Sequence, residues 1–244
     1  DAQSGLVRFA GDAKTRIEED YLRLLRYFRF AAKYARQPFE PATLAVCQAL
    51  APELTRLSGE RVQTELFKLL KNQNPLPTVQ QLNQLDILQS FWPQQDLQYF
   101  TRYLTASADL DIEPALRLRA WLGNDQTLLK NTAARLKLSS LHKSQLLDPL
   151  ADQAMSTNEL IFRHGKAWSL HSLALSDAPP ARIQDLKATE IPAFPLKGRD
   201  LIQAGLAPGP SLGEGIRMAE RLWLASGCEL EKNALVDLVL ADNS

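Results

Sequence analysis

Thr15-Arg16-Ile17-Glu18-Glu19-Asp20-Tyr21-Leu22-Arg23-Leu24-Leu25-Arg26-Tyr27-Phe28-Arg29-Phe30-Ala31-Ala32-Lys33-Tyr34-Ala35-Arg36-Gln37 is the stretch that decides the fold. Ile17, Tyr21, Leu24, Leu25, Phe28, Ala31, Ala32 and Ala35 recur at the ~3.6-residue period of an amphipathic helix. Thr15 and Glu18 have the spacing of a capping box. The spacing predicts one helix from Thr15 to about Gln37, stopped by Pro38 because proline lacks the N–H and clashes with the preceding turn.

The same period continues outward. A second helix is predicted from Pro41 to Ala51, and a third after Ser58-Gly59, with Val62, Leu66, Leu69 and Leu70 as its apolar stripe. Asn72 to Pro77 is a polar break. Residues 78 to about 176 alternate short helical stretches with breaks at Pro93, Pro114, Gly123 and Pro149, and Asp177 to Pro180 breaks the chain again. Phe194 to Leu201 opens a short helix and Gly205 to Pro210 makes a turn. Ser211 then caps a longer helix to about Ser226, with Gly227 as its stop. Strand alternation and Asn-Gly or Asp-Gly hairpin signals are missing, so the expected fold is all-α and multi-helix.

Composition narrows the function. Lys+Arg and Asp+Glu both number 28, so the formal net charge is zero. A protein that coats nucleic acid nonspecifically is basic overall, so any such role must rest on local patches. No apolar run reaches the ~20 residues of a membrane span, so no membrane partner is expected. Asp1-Ala2-Gln3-Ser4 has neither Met nor the features of a signal peptide and reads as the interior of a longer chain. Cys47 and Cys228 form no metal or disulfide pattern, and a reducing, cytoplasmic setting is the simplest expectation.

The polar side of the first helix carries the chemistry. Glu19, Asp20, Arg23, Arg26, Arg29, Lys33 and Arg36 avoid the apolar stripe. At helical spacing Asp20 and Arg23 are surface neighbours. A carboxylate accepts hydrogen bonds and a guanidinium only donates. Side by side they form an acceptor–donor edge that matches the pairing edges of cytosine and adenine, which set an amino donor beside a ring-nitrogen acceptor. Uracil and guanine reverse that order. The same spacing also suits a plain surface ion pair, worth ~0.3–0.5 kcal/mol.

Glu19-Asp20-Tyr21-Leu22-Arg23, followed by Leu24-Leu25-Arg26-Tyr27-Phe28-Arg29-Phe30-Ala31-Ala32, resembles the E-D-x-x-R nucleotide-recognition motif of class II tRNA nucleotidyltransferases, the CCA-adding enzymes. The flank Gly5-Leu6-Val7-Arg8-Phe9-Ala10-Gly11-Asp12-Ala13 and Thr15-Arg16-Ile17 is similar to the approach to that motif. Leu57-Ser58-Gly59-Glu60-Arg61-Val62, Glu65-Leu66 and Lys68-Leu69-Leu70 resemble the helix that buttresses it. Phe194-Pro195, Gly198, Asp200-Leu201, Gly205, Trp223, Ser226-Gly227 and Glu231-Lys232 resemble the tail of mitochondrial and alphaproteobacterial-type members. Bacterial poly(A) polymerases share the neck. A C-terminal part of such a polymerase and a non-catalytic helical RNA-binding module therefore remain the alternatives.

The resemblance implies a neck (about 1–75), a body (about 76–190) and a tail (about 191–244). It also implies tRNA, CTP and ATP as partners. Asp20 would accept from the base amino group and Arg23 would donate to the ring nitrogen, with Arg26 and Arg29 supporting the base pocket or the triphosphate. Glu19 would fix Arg23 or the helix start, and Arg61 would be structural. Lys33 and Arg36 extend the basic stripe toward RNA phosphates. Lys197 and Arg199 lie in a turn that resembles a helix-hairpin-helix, whose backbone N–H groups bind phosphate.

The family's catalytic head is a preceding β-sheet domain with a Gly-Ser turn and an Asp-x-Asp pair holding Mg²⁺. That head is expected to lie outside this sequence, in the same protein or as a separate chain. No catalytic residue or metal ligand is expected here, and the parent, not this chain alone, would be the active nucleotidyltransferase. Asp109-Leu110-Asp111 matches the letters only, without a Gly-Ser and in an expected helical context. His142, His164 and His171 lack acidic partners at metal spacing.

Overall fold

The apolar stripe that begins at Ile17 is carried by two helices, α1 (Ala13–Glu19) and α2 (Leu22–Tyr34), not by one. The computed structural model describes residues 5–35, 38–148, 154–176 and 178–242. Between α1 and α2, Asp20 is extended at φ −156° and ψ 106°. Its Oδ1 accepts the Leu22 N–H at 3.2 Å. A short acidic side chain that bonds the backbone two residues on competes with the helical ladder, and here it wins. The break turns Leu22 inward to 3% exposure, a position the unbroken stripe leaves out. Asp12, rather than a Thr15–Glu18 box, starts α1: its Oδ1 accepts the Thr15 N–H at 2.8 Å.

α3 (Pro41–Leu50) runs into a 3-10 turn at Ala51–Arg56, and α4 (Gly59–Leu70) follows. α2 packs on α4, so buried Leu24, Leu25 and Phe28 meet the buried face of Val62, Leu66, Leu69 and Leu70. Each such side chain contributes roughly 1.5–3 kcal/mol by leaving water. The chain continues through α5 (Leu76–Gln84), α6 (Gln98–Ala106), α7 (Pro114–Leu122), α8 (Gln126–Arg135) and α9 (Ser140–Leu147). Gly59 starts α4 where α8 ends: a Cβ there would lie 2.0 Å from the Arg135 carbonyl oxygen, so only glycine permits the approach.

Two buried arginines on α7 fasten neighbouring helix ends. Arg117 Nη1 donates to the carbonyls of Leu70 and Asn72, at 2.6 Å each, and so satisfies backbone acceptors where α4 stops. Arg119 Nη1 donates to the Leu146 carbonyl in the last turn of α9. Burial pushes both guanidinium pKa values down from their usual range. Asp109 and Asp111 lie in the turn between α6 and α7, not in a helix as expected. Pro114 instead opens α7, and Gly123 closes it at φ 75°.

The chain divides into two compact units, Asp1–Leu150 and Ala151–Ser244. In the second, α10 (Thr157–His164), α11 (Lys166–Leu175) and α12 (Pro180–Ala188) precede α13 (Gly198–Gln203), α14 (Pro210–Ala225) and α15 (Lys232–Asp242). Leu201, Leu206, Trp223, Leu235 and Val239 form a core. Phe162 of α10, Phe194 and Trp223 close an aromatic triangle over it, with centroids 5.4–5.8 Å apart. Ser211 does not cap α14. Gly209, at φ 137°, sits at that position and Pro210 opens the helix, since its fixed φ suits a first turn. The architecture is all-α, with no strand among the described residues. The expected breaks at Pro149 and Asp177 lie outside the described residues.

Candidate functional site

Three carboxylates organise the cations around the α1–α2 break. Glu19 closes α1, and its Oε2 accepts from Arg16 Nη1 at 2.6 Å and pairs with Arg23 Nη1. The same Arg23 nitrogen donates to the Arg16 carbonyl at 3.0 Å. Among the described residues none takes its Nε or Nη2, so the guanidinium is held at one corner with its other donors open. The hydrogen bond from Arg23, with the charge of Arg16, holds the Glu19 carboxyl below the usual carboxylate range.

Asp20 does not pair with Arg23. Both of its carboxylate oxygens lie 3.1 Å from Arg61 Nη2 on α4, and Arg26 Nη1 is 3.9 Å away. Sequence spacing placed Asp20 and Arg23 openly on one helix face. The break removes Asp20 from the helix, and the two side chains are 26% and 29% exposed. Arg61, expected to be structural, ties α4 to the carboxylate of Asp20.

Glu65 is the third carboxylate, and its side chain is only 5% exposed. Arg29 Nε stands 2.8 Å from its Oε2, while Arg26 Nε and Lys68 Nζ lie 3.5 and 3.7 Å from its Oε1. The Arg29 N–H points off the line to Oε2, so the contact is an ion pair without an aligned hydrogen bond. Glu65 had no role in the sequence reading. Its signal was there, for it sits three residues after Val62 and four before Leu69, an acid on the apolar stripe. Around the break, six cations face three carboxylates, a local positive excess in a chain of zero net charge.

The structure thus brings Asp20, Arg23, Arg26 and Arg29 together with Glu19, Arg61 and Glu65. Lys33 is exposed farther along α2, and Arg36 lies outside the described residues. Lys197 and Arg199 belong to the second unit; both are exposed and make no ion pair with a described residue. The Lys197 N–H donates to Asp200 Oδ2 at 2.8 Å, and Asp200 Oδ1 is 3.5 Å from Lys232. Those contacts, the backbone bond first, hold the Asp200 carboxyl below its usual range and tie the start of α13 to that of α15. Among the described residues no three His, Cys, Asp or Glu side chains gather to hold a metal ion. Among them, too, no helix is long and apolar enough to cross a membrane. A cleft of about 660 Å³, lined by Arg8, Asp12, Glu40 and Thr43, lies beside the start of α1 and includes none of the candidate residues.

Residues 38–98 match the domain described as the probable RNA and SrmB-binding site of polymerase A. Over 98% of its length the chain is 26% identical to the human mitochondrial CCA tRNA nucleotidyltransferase 1, covering 59% of that protein. The chain is thus similar to members of the superfamily of CCA-adding enzymes and poly(A) polymerases. Its similarity to one member, poly(A) polymerase I of Salmonella typhi, is 33% identity over 56% of the chain and 26% of that protein. The fold is similar to that of a Thermotoga maritima CCA-adding enzyme solved in complex with tRNA, over 99% of the chain and 65% of that protein, at a TM-score of 0.69 and 19% identity. The chain spans about three fifths of the length of the curated CCA-adding relatives it matches along most of its length.

Proposed function

We propose that this chain is the C-terminal part of a CCA-adding tRNA nucleotidyltransferase, selecting CTP and ATP through Asp20 and Arg23 and holding tRNA. In this reading residues 1–75 are the neck, 76–190 the body and 191–244 the tail. The observation that carries it is the state of Arg23. Glu19 and the Arg16 carbonyl fix one nitrogen, leaving the rest of the guanidinium free to donate, beside a partly exposed Asp20 carboxylate. A donor that is already ordered loses little freedom when it meets a ring nitrogen. Asp20 accepts from the exocyclic amino group of cytosine or adenine and meets a uracil carbonyl with repulsion. Arg61, about half exposed, gives up or shares its contact with Asp20 when a base arrives. Arg26 and Arg29, held by Glu65, supply positive charge toward the triphosphate.

The transfer itself requires Mg²⁺ on a carboxylate pair, which this reading assigns to a head in the part of the relatives that this chain does not span. A poly(A) polymerase is the second reading. It is disfavoured because likeness to a CCA-adding relative runs along nearly the whole chain, whereas likeness to the poly(A) polymerase covers little more than half.

The test is kcat/KM for CTP, ATP and UTP in the complete enzyme. Arg23→Ala lowers use of CTP and ATP together by the value of a charged hydrogen bond, about 1.5–3 kcal/mol. Asp20→Ala chiefly relaxes discrimination against UTP. Wild-type ratios among the three nucleotides in both variants would reduce the pair to surface ion pairing, and a wild-type enzyme that uses ATP alone would favour the polymerase.

A further inference from the structure

We infer that Phe30 and Tyr34 of α2 form a stacking platform for unpaired bases at the 3′ end of an RNA. The inference rests on the reading of this chain as tRNA-holding and adds to it a site for the strand that is being extended. Phe30 is 43% exposed and Tyr34 51%. Among the exposed large aromatic side chains of the described residues, these two alone stack on one another, with centroids 6.2 Å apart and planes 25° from parallel. Each ring also has a cation against it. The Arg29 guanidinium lies 4.1 Å from the Phe30 centroid, and Lys33 Nζ lies 5.1 Å from that of Tyr34.

The surroundings select the occupant. α2 carries Arg23, Arg26, Arg29 and Lys33 and no carboxylate, although the chain as a whole is neutral. An apolar protein partner has no use for such a one-signed helix. Single-stranded RNA does, because its bases offer flat apolar faces and its backbone offers phosphates. Position agrees as well. At about 100° per residue, Arg23, Phe30 and Tyr34 fall within roughly 40° of one face, and Phe30 lies about 10 Å along the axis from Arg23. The rings therefore continue the face on which the incoming nucleotide is read, at a distance of a few stacked bases. Arg29 serves both places, with Nε on Glu65 and its plane over Phe30. Glu65 thus holds the cation that flanks the platform.

The experiment uses this chain and two RNA hairpins, one with an unpaired 3′ tail carrying 2-aminopurine and one blunt. Wild type is expected to quench the tail fluorophore and to prefer the tailed hairpin. Phe30→Leu combined with Tyr34→Leu keeps apolar bulk but removes both rings. It should weaken tailed binding by about 5- to 100-fold, the usual value of one base–aromatic stack, and abolish quenching. Blunt binding and the thermal midpoint should not move, and Phe30→Trp should quench at least as well as wild type. The proposal is overturned if wild type does not quench, if the double variant binds the tailed hairpin as wild type does, or if it loses both hairpins equally. It is also overturned if the double variant changes the sedimentation coefficient while quenching is intact, since a protein then covers this face. Arg23→Ala separates the two readings: it removes nucleotide selection in the complete enzyme but leaves tail quenching in place, so either can fail without the other.

Discussion

Replacing Glu65 by glutamine removes one negative charge from the buried face of α4 and almost no volume. The side chain is 5% exposed and has three cations around it, so no cavity forms and the loss is electrostatic. Arg29 is the nearest at 2.8 Å and only 23% exposed; as an ion pair without an aligned hydrogen bond it contributes about 1.5–3 kcal/mol, below the ~3–5 kcal/mol of breaking a fully buried, hydrogen-bonded pair. Arg26 and Lys68, at 3.5 and 3.7 Å, are 42% and 51% exposed, so water screens them and each adds about 0–1 kcal/mol. The expected loss is about 2–4 kcal/mol, a fall in Tm of about 5–15 °C for a chain of this size. It stays at or below the usual cost of breaking a buried pair, because the stranded cations can turn toward water. The assay is denaturant unfolding of Glu65→Gln, Arg29→Gln, the double variant and Lys68→Ala. A coupling between Glu65 and Arg29 above about 1 kcal/mol, with Lys68→Ala costing at most about 0.5, fits the geometry. A Glu65→Gln variant within about 0.5 kcal/mol of wild type, or zero coupling to Arg29, would refute the claim that Glu65 holds these arginines.

Gly59→Ala should lower the denaturation midpoint even though alanine favours helix. Its Cβ meets the Arg135 carbonyl at 2.0 Å, and overpacking of this kind costs about 1–3 kcal/mol; an unchanged midpoint would mean that α4 and α8 can part freely. Lys197→Ala with Arg199→Ala should weaken tRNA binding and flatten its salt dependence, by up to roughly 0.9 in the log–log slope for each phosphate no longer neutralised. An unchanged slope in the folded double variant would return that turn to a structural role.

The residues at the α1–α2 break show how far local reading reaches. The first helices were legible because their signals are local: an apolar residue each turn, Pro38 after α2, Ser58-Gly59 before α4. Asp20, Arg23, Arg26 and Arg29 were singled out through the motif they stand in. Their partners were not. The Glu19–Arg23 clamp spans four residues and fits the expectation that Glu19 fixes Arg23, but Arg61 reaches Asp20 from 41 residues away and Glu65 reaches Arg29 from another helix. Before α14 the turn was found, but its cap was assigned to Ser211 because the preference for serine at a helix start overrode the Gly209-Pro210 pair that makes it.

By itself the sequence determined that this protein is a set of short helices with one basic, acid-led stretch near its start, because periodicity, caps and prolines act within a turn or two of chain. Only the tertiary structure decided how that stretch is wired. Whether Asp20 continues a helix or breaks it is a contest between a local side-chain hydrogen bond and the helical ladder. The two differ by little, and the break is favoured because it turns Leu22 into the core while keeping Ile17 there. Once α2 lies on α4, Glu65 is shut from water and must gather cations, and Arg61 arrives over Asp20. Burial and pairing depend on which helix lies opposite, and no spacing along one helix encodes that.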